Sequence, residues 1–356
     1  MSTTIGQYGG DGISLILSAA IDNITLQQQQ NSWQTSAGTI AETYAGVGDS
    51  RQTAISLNPK ITQVASWQSN ITNTQTNLSI TATTMKQIVS LAQTLSTNLT
   101  SVTGTSSATS VATVVEQAKG LLSELGSALN TQSGSDYIFA GQDATEAPIT
   151  DVNNLGSSTL ATSIASAVSS LDASHVDTVL DKVTTAANNN SVFSANLTKT
   201  PAAAARLRAS VVMSTSTTKV GLVATQNSTT SAASSTSTGS PIRDLMSDLM
   251  VVASMGGMSS ETAGYTDLVT KLNSSLNTTI GQLTDMEAQV GVQQSALTTR
   301  STMLTSVTTM LKAQLSNARD DDAAAAITTA TTLKTQLEAS FTLVADMKNM
   351  SLASYL

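Results

Sequence analysis

The side chains that most often carry chemistry are thinly spread along this chain. There is one histidine, His175, and no cysteine. A zinc site draws on several His or Cys ligands, and a nucleophilic triad needs a base set beside its nucleophile. His175 sits in a stretch without regular period and has neither a second histidine nor a thiol to join it. No catalytic residue, metal site or cofactor is expected, and the chain is not read as an enzyme. Asp320-Asp321-Asp322 has the charge to hold a cation, but it is read as the solvated start of a helix, where carboxylates complement the dipole. Gly6-Gln7-Tyr8-Gly9-Gly10 precedes a helical stretch, yet no strand leads into it, as a phosphate-binding loop requires. Asn-x-Ser/Thr sequons at Asn23, Asn70, Asn77 and Asn98 fall on predicted helices and read as composition.

The composition points away from enzymes and towards long helices. Aromatic residues are 3% of 356 positions and prolines number four, which suits a core of aliphatic layers. A net charge of −8 argues against nucleic acid as a partner, because that footprint is clustered Lys and Arg. Only 11% of residues are charged, so solubility rests largely on Ser, Thr, Asn and Gln. The missing cysteines exclude disulfides and lean towards an extracellular protein that avoids stray thiols. No apolar run approaches the roughly 18 residues that span a bilayer, so no membrane segment is expected. Ile13 to Ile21 is like a short signal-peptide core, but the first cationic side chain is Arg51 and a basic n-region is missing. Export by another route is the expectation.

What must position everything else is a repeat of seven. Leu276, Leu283, Val290, Leu297, Leu304 and Leu311 recur without a slip, and so do Val64, Ile71, Leu78, Met85, Ala92 and Leu99. Each set is an apolar seam on one side of a long helix, and a seam needs a partner. The two are read as facing each other within one chain. The predicted fold is mainly α: antiparallel heptad helices from both chain ends form a rod-like bundle, with a short β-hairpin and a small mixed inserted domain.

In chain order, residues 1–34 are expected to form an amphipathic helix with Ile13, Leu17, Ile21 and Ile24 on its stripe. Asn58-Pro59 is read as cap and first residue of the next helix, running to about Leu99. Ser110–Leu129 gives a third, with Val111, Val114, Val115, Ala118, Leu121, Leu122, Leu125 and Leu129 on its stripe. Tyr137–Gly141 reads as a strand and turn. Residues 142–240 lose long-range period; one helix is expected around Ser163–Lys182 and a strand within Val211–Val223. Helix resumes at Pro241, capped by Ser240, through Ile242, Leu245, Leu249, Val252 and Met255. The second heptad helix follows from Ser259 to about Asn317. A last helix after the aspartates carries Ile327, Ala330, Leu333, Leu337, Phe341, Val344, Met347 and Leu352 on one stripe.

This order resembles the bacterial flagellin family, including its hook–filament junction proteins. The segments that carry the resemblance are Ser69–Leu78, Tyr137–Gly141, Ser240–Leu245, Ser316–Asp322 and Ser351–Leu356, which together span about 1–141 and 241–356. One departure is Gly46–Arg51, which stands where the family carries a basic and acidic segment. Basic positions in the first long helix are reduced to Lys60 and Lys86, which argues against receptor recognition. The resemblance implies a structural subunit of the flagellar filament, extracellular and exported unfolded. It divides the chain into terminal helices for assembly (1–34 with 323–356), a helical rod (35–141 with 241–322) and a surface-exposed insert (142–240), where O-linked sugars stay open. The terminal stripes would be unordered alone and pair in a polymer of many copies, with hook-associated proteins and an export chaperone as further partners. Two alternatives stand beside this: the junction protein of the same family, and a monomeric secreted binding module or type III effector.

Overall fold

A computed structural model describes the backbone of residues 5–104, 106–189, 191–198, 208–213, 216–230 and 232–353, and side-chain surroundings for these except 5–14, 208–218 and 347–353. The chain divides into two units, residues 1–66 with 304–356 and residues 67–303. Its elements in order are α1 (Ile5–Ala37), a 3₁₀ stretch (Tyr44–Ser50), α2 (Arg51–Ser101), α3 (Ala108–Leu129), β1 (Gln132–Ser133), β2 (Asp136–Tyr137), α4 (Thr159–Ser169), α5 (Val176–Asn189), α6 (Ala195–Thr198), β3 (Arg208–Met213), β4 (Ser216–Val220), α7 (Pro241–Ala253), α8 (Tyr265–Arg319) and α9 (Ala323–Ala353). The fold is mainly α, with two antiparallel two-stranded ladders, β1–β2 and β3–β4, among the described residues.

The heptad seams meet. Within the larger unit α2 and α8 run antiparallel: Gln75 donates to Thr298 at 3.1 Å, Ser96 to Asn277 at 3.3 Å and Asn273 to Thr100 at 2.9 Å. Ile71, Leu78, Met85, Ala92 and Leu99 are buried, as are Leu276, Leu283, Val290 and Leu297. In the smaller unit Val64 and Leu304 are buried and Leu311 half-buried. The long helices are rich in threonine, whose β-branch lowers helix propensity. Its hydroxyls are satisfied locally instead: Thr72, Thr76, Thr83, Thr94 and Thr97 each donate to the carbonyl four residues back.

α3 and α7 close the bundle. The α3 stripe is buried except for half-exposed Leu121. A Cβ at Gly126 would meet the Leu155 side chain at 2.6 Å, so glycine lets Leu155 pack closely on α3. Almost every residue of α7 is buried, and it packs on α3, α4 and α5. A helix enclosed on all sides has no solvated face for its polar residues. Asp244 is served by the Ser237 hydroxyl at 2.6 Å and by the Thr238 N–H and hydroxyl at 2.8 and 2.7 Å. Burial still pushes its carboxyl up from the ordinary value, against the pull of those bonds and of Arg243. Asp248 is buried with no hydrogen-bond partner on Oδ2. Burial, and then the charge of Asp244, pushes its carboxyl well above the usual carboxylate range.

Several expected boundaries shift. α2 begins at Arg51, so Pro59 lies inside the helix and not at its start. Pro59 has no N–H for the Ile55 carbonyl, which costs one bond in a helix whose seam supplies the stability. Asn58 does not cap; its amide donates to the Tyr44 hydroxyl. Ser240 holds the N-cap position but its side chain makes no capping bond. The helix expected around Ser163–Lys182 is two, α4 and α5, split by the turn at Leu171–His175, where His175 Nδ1 contacts the Asp172 carboxylate at 2.6 Å. Gly264, at φ +82°, starts α8 later than Ser259; a Cβ there would meet the Asp172 carbonyl at 2.6 Å. Tyr137–Gly141 supplies only the end of β2, and Ala140 bridges to Val223. The strand expected within Val211–Val223 is a hairpin, β3–β4.

Two outcomes follow from this packing. Leu283→Ala should cost about 2–5 kcal/mol in denaturant unfolding, whereas Met303→Ala on the exposed side of α8 should stay within about 0.5 kcal/mol. Asp248 has a native pKa raised above its unfolded one, so it binds its proton more tightly when folded. Wild-type stability should therefore fall as pH rises through and above the ordinary carboxylate value of 3.8. Asp248→Asn should be the more stable protein at pH 7, because its amide carries no charge for burial to penalise. That advantage should vanish below the ordinary value, as read by thermal unfolding against pH.

Candidate assembly surface

The chain leaves α1 and enters α9 through one tied joint. Gly38 ends α1 with φ +66°, a left-handed conformation that glycine adopts without strain. Thr39 then bridges to Asp320, Ile40 N–H donates to the Arg319 carbonyl at 2.8 Å and Asp321 N–H to the Gly38 carbonyl at 3.1 Å. Trp33 Nε1 donates to the Thr39 hydroxyl at 3.0 Å and Gln34 to the Ile40 carbonyl at 2.9 Å. The three aspartates divide the work. Asp320 pairs in the bridge and accepts from the Ser316 hydroxyl at 2.5 Å. Asp321 carries the backbone tie, and Asp322 caps α9, its carboxylate accepting from Ala324 and Ala325 N–H at 2.9 and 3.3 Å. Among the described residues no group of three or more His, Cys, Asp or Glu could hold a metal ion.

From this joint α1 and α9 run back along each other. Leu333 is buried and Leu337 half-buried, as are Leu17, Ile21 and Ile24 on α1; Asn31 and Ala326 are buried near the joint. Within the single chain the two helices cover one stripe of each other. Ile327, Phe341 and Val344, predicted on that stripe, are 54%, 54% and 38% exposed, and Ala330 is half-buried. The remaining stripe residues, Ile13, Met347 and Leu352, lie outside the described side chains.

A second set of apolar residues faces outward, and heptad-style reading passed over most of it. Leu15, Ile16 and Leu26 on α1 and Ile327 and Leu343 on α9 are all more than half exposed. Leu15 precedes Leu17 by two residues and Leu26 follows Ile24 by two. At 3.6 residues per turn a step of two crosses to the far side of a helix. The outer face is also less polar than its sequence looks, since Thr328, Thr329, Thr331, Thr332, Thr335 and Thr342 all turn their hydroxyls onto the carbonyl four residues back. α9 exposes Ile327, Phe341, Leu343 and Val344 beside the charged Lys334, Glu338 and Asp346. Among the described residues no helix is long and apolar enough to cross a membrane.

Residues 273–356, most of α8 and all of α9, match the family model described as the bacterial flagellin C-terminal helical region. The chain carries a flagellin C-terminal helical region. Among solved structures the fold is similar to a proposed flagellar hook-associated protein from Vibrio parahaemolyticus, at a TM-score of 0.52 and 10% identity, covering 75% of this chain and 96% of that one. The family match concerns residues 273–356, and the likeness to the Vibrio protein is one of fold. No curated protein matches the chain. The flagellin-type region contains two of the segments that carried the resemblance, Ser316–Asp322 and Ser351–Leu356. The N-terminal ones lie outside the matched residues.

The inner and outer faces should respond differently to substitution. Leu333→Ala should loosen the α1–α9 pair by about 2–5 kcal/mol, seen as faster amide exchange in residues 15–37. Phe341→Ala should change it by less than about 0.5 kcal/mol in the dilute protein. Asp322→Ala should remove about 1 kcal/mol from the start of α9.

Proposed function

We propose that this chain is a structural subunit of the bacterial flagellar filament and that it polymerises through the outer faces of α1 and α9. The observation that carries the reading is the apolar surface left on both helices after they have paired. One stripe is already covered, and what remains lies on other sides, so a single further partner helix would not cover it. A surrounding of several copies of the same helices would. Burial at roughly 25 cal/mol per Å² would then supply the association energy, against the entropy of ordering each copy. The flagellin C-terminal helical region at 273–356 supports the reading, since it ends on α9. In this account residues 142–240 stay outside the contacts between copies, α2 and α8 seal the subunit, and no catalytic step is involved. The placement is extracellular, on the flagellum.

A second reading within the family is the hook–filament junction protein, favoured by the fold shared with the Vibrio protein. Both readings need the same outer faces and differ in copy number. Electron microscopy of the purified chain separates them: long helical filaments from one polypeptide match the filament subunit, and their absence matches the junction role. Removing residues 324–356 should abolish any assembly while circular dichroism still reports a helical core. Filaments formed by that truncated chain would rule out assembly through the terminal helices. The pair Phe341→Ser and Leu343→Ser should likewise stop assembly with little change in monomer unfolding.

A further inference from the structure

With no cysteine in the chain, its sulfur chemistry rests on twelve methionines. Burial divides them. Met85, Met246, Met250, Met255 and Met286 are each at most 2% exposed, and Met258 is half-buried. Met303 and Met310 are 46% and 54% exposed, the two that reach furthest into water among the described side chains. Met1, Met213, Met347 and Met350 lie outside the described side chains.

The two exposed methionines share a place. Both are on α8, one heptad apart, and Val292, 70% exposed, stands eleven positions before Met303. At 3.6 residues per turn, steps of eleven and seven each close to within about 20° of full turns, so the three fall on one outward line of α8. They are the large apolar side chains that α8 exposes among the described residues. Two of the three carry a thioether, and oxidants act on sulfur according to its exposure.

The step itself is simple. The thioether sulfur attacks the outer oxygen of a hydroperoxide, an S–O bond forms, the O–O bond breaks, and the remaining alkoxide takes the proton and leaves as an alcohol. Sulfur loses two electrons and the peroxide gains them. The product sulfoxide is polar. In the core, at Met85 or Met286, it would be an acceptor with no donor to meet it. At Met303 and Met310 water supplies the donors. We infer that Met303 and Met310 are sites of reversible oxidation by hydroperoxides, which turns the exposed line of α8 from apolar to polar and leaves the fold intact. The site lies outside the faces of α1 and α9 and does not depend on the filament reading.

The test treats the dilute full-length protein, folded and denatured, with tert-butyl hydroperoxide and reads the sulfoxide at each methionine by peptide mass spectrometry. In the folded chain Met303 and Met310 should react at least tenfold faster than Met85, Met246, Met250, Met255 and Met286. In the denatured chain the rates should converge. The folded protein modified at both positions should keep its melting temperature and leave a phenyl column earlier than untreated protein. Methionine sulfoxide reductases for both epimers should restore the original elution. The double variant Met303→Leu with Met310→Leu keeps an apolar line without sulfur and should lose more than half of that elution shift. Buried methionines that keep pace in the folded chain, or a rate difference that survives denaturation, would overturn exposure as the cause. A melting temperature lowered by the modification, or an undiminished shift in the double variant, would overturn the inference that oxidation rewrites only the surface of α8.

Discussion

The antiparallel seam between α2 and α8 is the interaction on which the rest of the larger unit depends. Ile71, Leu78, Met85 and Leu99 on one helix and Leu276, Leu283, Val290 and Leu297 on the other are all withdrawn from water. At 1.5 Å per residue α2 is about 77 Å and α8 about 83 Å long, and within the larger unit they are held by side chains that repeat every seventh position. Threonine-rich helices of this length have little intrinsic reason to form, and packing along the seam supplies the stability that propensity does not. α3 and α7 then have a surface to close against.

The same logic runs out at α1 and α9. They share one stripe, tied at Gly38, Thr39 and Asp320–Asp322, and still leave Leu15, Leu26, Phe341 and Leu343 in water. Isolated exposed apolar side chains are ordinary on any protein surface. Here they recur on a paired helix element and on sides that the pairing does not use. The long helices show less of this, with Val292, Met303 and Met310 exposed on α8 and Ile55 on α2. A sealed bundle and an unsealed helix pair are a coherent division between holding a subunit together and joining it to others.

Sequence periodicity exposed the seams because a strict repeat over five or six heptads has few alternative explanations. Inside the larger unit the strict every-seventh residues are buried, whereas Trp67 and Ile280, three or four positions along from them, are half-buried. It served α1 and α9 less well. A search for one stripe found the inner face, Leu17, Ile21, Ile24, Leu333 and Leu337, and extended it to Phe341 and Val344, which are exposed. The outer residues Leu15, Leu26 and Leu343 have the wrong spacing for that stripe. They carry meaning only once the inner face is known to be occupied. Local signals were weaker still: Asn58-Pro59 has the chemistry of a helix start, but the helix begins at Arg51. The unmet acceptors of Asp248 and Gln282 were illegible, because α7 reads as an amphipathic helix and only its neighbours make it buried all round.

The chain has no cysteine, so a single introduced thiol reports on one place only. Ala345→Cys lies on the exposed part of α9 beside Val344, and Ser235→Cys on an exposed loop of residues 142–240. Thiol labelling in dilute solution should modify both quickly. After assembly, labelling at Ala345→Cys should slow at least tenfold while Ser235→Cys keeps its rate. Equal labelling of Ala345→Cys before and after assembly would contradict a polymer built through the outer faces of α1 and α9.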